Sequence, residues 1–168
     1  MLARVMTRFH DLVPLPLRVV MGLAFIVHGY PKITHLALTA QSFGQQGFVP
    51  GLFWASLVAI VEFVGGVCLV LGLLTRYWSL ALAVEMVVTT LAVKVPRGAS
   101  FVARGGQGPG YELDLIYLAG ALALVVLGSG PLSIDQMIRR APRIPPPARD
   151  ARHPDESRDL RPGRRRAA

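Results

Sequence analysis

Cysteine is almost absent. Cys68 is the only one in 168 residues, which excludes an intrachain disulfide and any site built from several thiolates. It stands inside an apolar run, where a thiol behaves as a small hydrophobe, so sulfur chemistry on the chain itself is not expected. No C-x-x-C and no C-x-x-C-H sequence occurs. Charge is scarce too: charged residues are 17% of the chain against 52% hydrophobic, and the mean hydropathy is +0.47. That balance argues against a water-soluble globule. Histidine is equally restricted. A bis-histidine haem needs imidazoles on facing helices, but His28 and His35 fall together and the other hydrophobic runs have none. Zinc, Walker and Rossmann spacings are missing, as is the elbow sequence of a serine nucleophile. Neither haem nor metal is therefore expected.

What charge there is lies unevenly. Residues 138–168 hold ten arginines and four acids, leaving eight basic and six acidic residues for 1–137. The net charge of +8 thus belongs mostly to a Pro- and Arg-rich tail. The tail has too few large apolar residues to offset the entropy of ordering and is expected to be disordered. It is suited to touch anionic lipid, at roughly 1 kcal/mol per basic residue near the surface. Nucleic acid is not among the expected partners.

Four apolar runs fill the body, at about 16–34, 53–74, 77–93 and 111–128. A membrane-crossing helix needs ~20 such residues, at ~1.5 Å rise each through a ~30 Å hydrocarbon layer. None alternates with period two, which disfavours a β-barrel. The second run has thirteen Leu, Ile, Val or Phe residues, worth roughly −0.3 to −0.6 kcal/mol each, against about +3 for a central charge. It inserts even with Glu62. The third has only seven, roughly −3 kcal/mol, which about cancels a charged Glu85; that acid is expected to be protonated, hydrogen-bonded inside a bundle, or both. The first run is not expected to be a cleaved signal: three more runs follow, and Ala37 and Ala40 are one residue too far apart for an A-x-A site.

The fold expected is an all-α integral membrane four-helix bundle. It comprises an N-terminal segment at 1–15, the helical domain at 16–137 and the tail at 138–168. Arg4, Arg8, Arg76, Arg139, Arg140 and Arg143 flank one side; Lys32, Lys94, Arg97 and Arg104 flank the other. The larger basic count places both termini in the cytoplasm. The loops at 35–52 and 94–110 then face outward and, being Gly-rich, are expected to be irregular.

Polar residues within the runs are the candidate site. His28 lies about 18 Å from the cytoplasmic side and Glu62 about 13–14 Å from the outer side, so an imidazole–carboxylate pair fits at that depth. Lys32 stands one turn above His28. Glu112 and Asp114 start the fourth helix at the same outer end, where negative charge suits a helix N-terminus. Ala55, Ala59, Glu62 and Gly66 form one small-residue stripe; Ala81, Glu85, Thr89 and Ala92 form another. Such stripes turn toward neighbouring helices in lipid. A buried ionisable group is a candidate functional residue, and the competing reading makes Glu62, His28 and Lys32 a polar lock that fixes helix register. For Glu85 and Lys32 the structural role is favoured. Arg18, Arg76 and Asp135 read as boundary anchors.

Three stretches resemble the DoxX family of small bacterial four-helix membrane proteins: LRVVMGLAFIVHGYPKI, VEFVGGVCLVLGLLTRYWSLALAVEM and GYELDLIYLAGALALVVLGSGPLSID. The positions most typical of that family are His28, Gly29, Lys32, Glu62, Gly65, Gly66, Gly72, Arg76, Glu112, Gly128, Ser133 and Asp135. One departure is visible: where members often have a histidine after the third helix, this chain reads KVPRGASF. The family is related to a membrane subunit of thiosulfate:quinone oxidoreductase, and some members belong to redox and thiol-stress complexes. The resemblance therefore implies a bacterial cell-membrane component of a quinone-linked oxidoreductase or redox-stress system, with quinone as its cofactor. In that reading His28 and Glu62 handle protons, while Lys32 and Glu112 stand near the quinone headgroup or an anionic substrate. Soluble redox enzymes or a second membrane subunit are the expected partners. The alternatives are a non-catalytic scaffold that recruits such enzymes through the tail and, less in keeping with four short helices, a transporter or channel.

Overall fold

The computed structural model describes residues 12–103 and 110–140. Among these there are six α-helices and no strand. They are α1 (Pro14–Thr34), α2 (Leu36–Gln45), α3 (Gly51–Leu71), α4 (Thr75–Val88), α5 (Glu112–Leu127) and α6 (Ile134–Arg140). α4 continues through a π-helical stretch, Thr89–Lys94, and a 3-10 turn, Val95–Arg97. The four apolar runs correspond to α1, α3, extended α4 and α5.

The loop at 35–52, expected to be irregular, is instead helical over Leu36–Gln45. Its sequence LALTAQSFGQ has no proline, and its first eight residues have no glycine. Gly44 and Gly47 act only as the end signal, Gly47 at φ 90. α6 continues to Arg140, three residues into the segment read as tail. Residues 1–11, 104–109 and 141–168 lie outside the described residues, and with them nearly all of the N-terminal segment and the tail.

Local chemistry sets the helix ends. Pro14 and Pro16 open α1, where a missing N–H costs nothing. Gly72 closes α3 in the left-handed region at φ 70. Its N–H donates to Leu69 O at 3.0 Å and Leu73 N–H donates to Cys68 O at 2.9 Å, the paired bonds of a Schellman cap. α4 begins three residues later without a capping side chain of its own. Asp135, from α6, supplies one: its carboxylate accepts from Leu74 N–H at 2.7 Å and Thr75 N–H at 3.0 Å. Asp135 N–H in turn donates to Gly72 O at 3.0 Å. Arg18 donates to Leu132 O and Arg76 to Val126 O at 3.2 Å, so the three boundary residues tie one end of the molecule together.

α1 and α3 run antiparallel and nearly touch. A Cβ on Gly22 would stand 2.7 Å from Gly66 O, and one on Gly66 would stand 2.7 Å from Gly22 O. Seven residues along α1, a Cβ on Gly29 would lie 2.9 Å from Glu62 Cβ. Only glycine permits that approach, the small-residue contact typical of helices in lipid. The stripe Ala55, Ala59, Glu62, Gly66 is buried throughout. Phe25, Leu69, Leu82 and Leu124 are fully buried, one each from α1, α3, α4 and α5, and centre the core.

Outward faces are as apolar as inward ones. Val27, Tyr77 and Val126 are 71%, 74% and 75% exposed. The helices Gly51–Leu71 and Thr75–Arg97 are long and apolar enough to cross a membrane, with mean hydropathies of 2.2 and 1.6. Only 33% and 28% of those apolar windows is buried, which is not how the core helix of a soluble globule behaves. α1 carries Arg18 and Lys32, and α5 has 16 residues, a rise of ~24 Å.

The cap donated across the chain is testable. Asp135→Ala leaves two N–H groups of α4 without their acceptor and is expected to cost about 1–2 kcal/mol, read as a lowered melting temperature in detergent. Asp135→Asn keeps an acceptor and should retain most of that stability.

Candidate functional site

A cavity of about 930 Å³ lies between α1, α3, α4 and α5. Each helix contributes residues at helical spacing: Phe25, His28 and Lys32 from α1; Trp54, Val58, Val61 and Glu62 from α3; Tyr77, Ala81 and Glu85 from α4; Asp114 and Tyr117 from α5. Phe43, Gln46 and Phe48, at and after the end of α2, close one side. The Phe48 ring meets Trp54 edge-on at 5.8 Å. The lining is mostly apolar, with charge concentrated at the end where α1 finishes and α5 starts.

All four residues singled out in the sequence, His28, Lys32, Glu62 and Glu112, line this one cavity. Lys32 Nζ donates to Glu62 Oε2 as an ion pair. Glu62 is 4% exposed, so its charge is balanced by an ammonium inside the protein rather than by water. The glycine crossing makes this possible: with α1 and α3 in contact at Gly29, the Lys32 stem reaches the carboxylate from one turn away. His28 does not take that role. Among the described residues no hydrogen bond joins it to Glu62; its ring stands edge-on to Tyr117 at 6.3 Å. Glu112 is separate from the pair, its Oε1 accepting from Ala103 N–H at 3.0 Å. Among the described residues its Oε2 has no partner.

A second ion pair parallels the first. Lys94 Nζ lies 2.8 Å from Asp114 Oδ1 and donates to Gly110 O at 3.0 Å. Thr90 Oγ1 donates to Asp114 Oδ2 at 3.3 Å. The π-helical stretch accounts for this. Its i→i+5 bonding keeps Lys94 on the same side as Thr89, five residues earlier, and both reach the cavity. Such stretches are common at functional sites.

Glu85, like Glu112, has no ion-pair partner among the described residues. It lines the same cavity as Glu62 and Lys32. Its Oε2 is buried and has no partner among the described residues. The cavity wall thus holds two ammonium groups, each committed to one carboxylate, plus two further acids, Glu85 and Glu112. Lys94 was visible in the sequence only as a flanking charge and Asp114 only as a helix-start acid. For Glu85 the signal was present, in the stripe with Ala81 and Thr89, both of which line the cavity.

Sequence comparison agrees with this architecture. The DoxX family profile matches residues 13–95. The putative oxidoreductase CatD of Bacillus subtilis is 31% identical over 133 residues, 79% of this chain and 92% of its own length. The inner membrane protein YqjF of Escherichia coli is 33% identical over 135 residues, 80% of this chain and 98% of its own. An uncharacterized membrane protein of Mycobacterium tuberculosis is 31% identical over 130 residues, covering 74% and 80% respectively. No solved structure matches the chain. The chain belongs to the DoxX family of membrane proteins.

The Lys32–Glu62 pair can be tested without knowing a ligand. Lys32→Met strands a buried carboxylate and is expected to destabilise by roughly 3 kcal/mol, whereas adding Glu62→Leu should restore much of the loss, because an apolar pair replaces a buried ion pair at little cost. Thermal unfolding of the single and double variants in detergent gives both values.

Proposed function

We propose that this chain crosses the bacterial cell membrane four times, as a bundle of α1, α3, extended α4 and α5 with both termini in the cytoplasm. In this reading it binds a quinone as the membrane component of an oxidoreductase or redox-stress system. The outward apolar faces support four crossings, as do the internal partners of the charges on α1: Lys32 meets Glu62 and Arg18 meets Leu132 O. α5 is short for a ~30 Å layer, a mismatch that modest thinning or flanking residues accommodate. The putative oxidoreductase name of CatD supports the redox assignment.

The observation that carries the quinone reading is the cavity itself: about 930 Å³, mostly apolar, with acids and a histidine at one end. Ligand sites of this size combine an apolar wall with a few convergent polar groups. A quinone headgroup would lie toward the polar end of the cavity and its isoprenoid tail along the apolar wall, to which Leu57 and Val84 belong. Reducing it to the hydroquinone takes two electrons and two protons. The electrons would come from a partner, a soluble redox enzyme or a second membrane subunit. Protons would come from the wall, where Glu62, Glu85 and His28 line the cavity. Lys32 and Glu112 set the polarity around the headgroup carbonyls.

The test is direct binding of a short-chain quinone to purified protein in detergent. Glu62→Gln is expected to weaken it about tenfold, the equivalent of one charge-assisted hydrogen bond. Unchanged affinity would remove Glu62 from the site.

A further inference from the structure

At the opposite end of the molecule from the charged part of that cavity lies a second hollow, of about 300 Å³. Its walls are Pro14 at the start of α1, the turn Gly128–Ser129–Gly130 after α5, and three arginines: Arg76 at the start of α4, and Arg139 and Arg140 at the end of α6. Among the described residues no carboxylate lines it. The acid carried by α6, Asp135, forms no ion pair with these arginines among the described residues; its oxygens accept from the N–H groups of Leu74 and Thr75.

The hollow is built rather than incidental. Arg76 Nη2 donates to Val126 O at 3.2 Å, and the guanidinium lies across Gly128, where a Cβ would stand 3.2 Å from Arg76 Nε. Gly128 has φ 79, so this glycine serves both the turn and the path of the arginine. Of five guanidinium N–H donors, that backbone bond takes one. The turn opposite is held by Ser133 Oγ, which donates to Gly130 O at 2.7 Å or Ser129 Oγ at 2.9 Å. Arg139 and Arg140 form no ion pair among the described residues. Three like charges gathered around a fixed turn repel one another unless an anion sits between them. A phosphate suits this arrangement, since guanidinium groups bind its oxygens with paired, charge-assisted hydrogen bonds.

We propose that this hollow is a binding site for the phosphate of an anionic ligand, a phospholipid headgroup or a free phosphate ester. The surroundings favour the lipid. Val13, Leu132, Met137 and Ile138 are all exposed next to it, an apolar rim that a headgroup's acyl chains would cover. The site also lies at the helix end where the proposed topology puts the cytoplasmic lipid surface. Only this choice of source rests on the membrane topology; the phosphate chemistry rests on the arginines.

The experiment uses the full-length protein in neutral detergent, titrated in turn with short-chain phosphatidylglycerol, short-chain phosphatidylcholine and inorganic phosphate, with bound ligand read by native mass spectrometry. Phosphatidylglycerol should bind in preference to phosphatidylcholine, and the double variant Arg139→Gln/Arg140→Gln should lose about thirtyfold in affinity for it, two surface charges' worth. These two side chains are exposed, so the variant should melt at the wild-type temperature without ligand and bind quinone at the far cavity unchanged. Failure here is thereby separable from failure of the quinone reading. Arg76→Gln should weaken phosphatidylglycerol in the same sense. Saturable binding of inorganic phosphate that the double variant abolishes identifies a soluble phosphate as the occupant; no phosphate binding identifies the lipid. Equal affinity in wild type and double variant, or equal binding of the two lipids, overturns the site.

Discussion

Two helices that meet at glycines can bring their axes closer than any other residue allows. In this protein the approach at Gly22, Gly29 and Gly66 determines where the charged residues go. It buries Glu62 against α1, leaving the residue 4% exposed. A buried carboxylate in a lipid-facing molecule must find a cation or lose its charge. Lys32, one turn beyond Gly29, has a stem long enough to provide one. The packing of small residues and the ion pair are therefore one feature. Widening the crossing would separate the pair, and removing Lys32 alone would leave the crossing with an unsatisfied charge at its centre.

The two ends of the molecule use polar groups differently. At the Asp135 end, side chains bond mainly to backbone: a carboxylate caps a helix, and Arg18 and Arg76 bond to carbonyls. Such bonds have a single partner that cannot change protonation. At the Glu62 end, side chains bond to side chains that titrate, and the helix itself departs from α geometry over Thr89–Lys94. The first end fixes the helices, and the proposed function assigns proton exchange to the second. In that proposal Glu85, which no cation pairs among the described residues, is a proton carrier rather than a structural group.

How far the sequence reveals this depends on the range over which each feature is encoded. Apolar runs of the right length mark α1, α3, α4 and α5, and glycine and proline mark their ends within a few residues. The stripe Ala55, Ala59, Glu62, Gly66 identifies the buried face of α3 because helical periodicity is local. Counting residues from the helix ends puts His28, Lys32, Glu62 and Glu112 in one region, and they line one cavity. Partner choice is another matter. His28 and Lys32 were both in reach of Glu62 by depth alone. The preference for Lys32 follows from stem length and from the set of the His28 ring against Tyr117, neither of which is a property of spacing. α2 escaped notice because it has no buried residue and so no apolar periodicity to read; its glycines were the stronger local signal.

The pairs that join distant segments were the least legible, and they are also the most informative about mechanism. Asp135 reaches α4 across 60 residues and Lys94 reaches Asp114 across 20. Each looked like an ordinary boundary charge. In a soluble protein such charges are mostly solvated, and assigning them partners would be unwarranted. A membrane protein has less water at its helix ends, so a charge near an end is either satisfied by another segment or available to a ligand. By that criterion Asp135, Lys94 and Asp114 are spent. Glu85 and Glu112 each keep an oxygen without a partner among the described residues, and both open on the same cavity. Of the buried groups left over after structural needs are met, these two acids are the ones that stand on the cavity to which quinone binding is proposed.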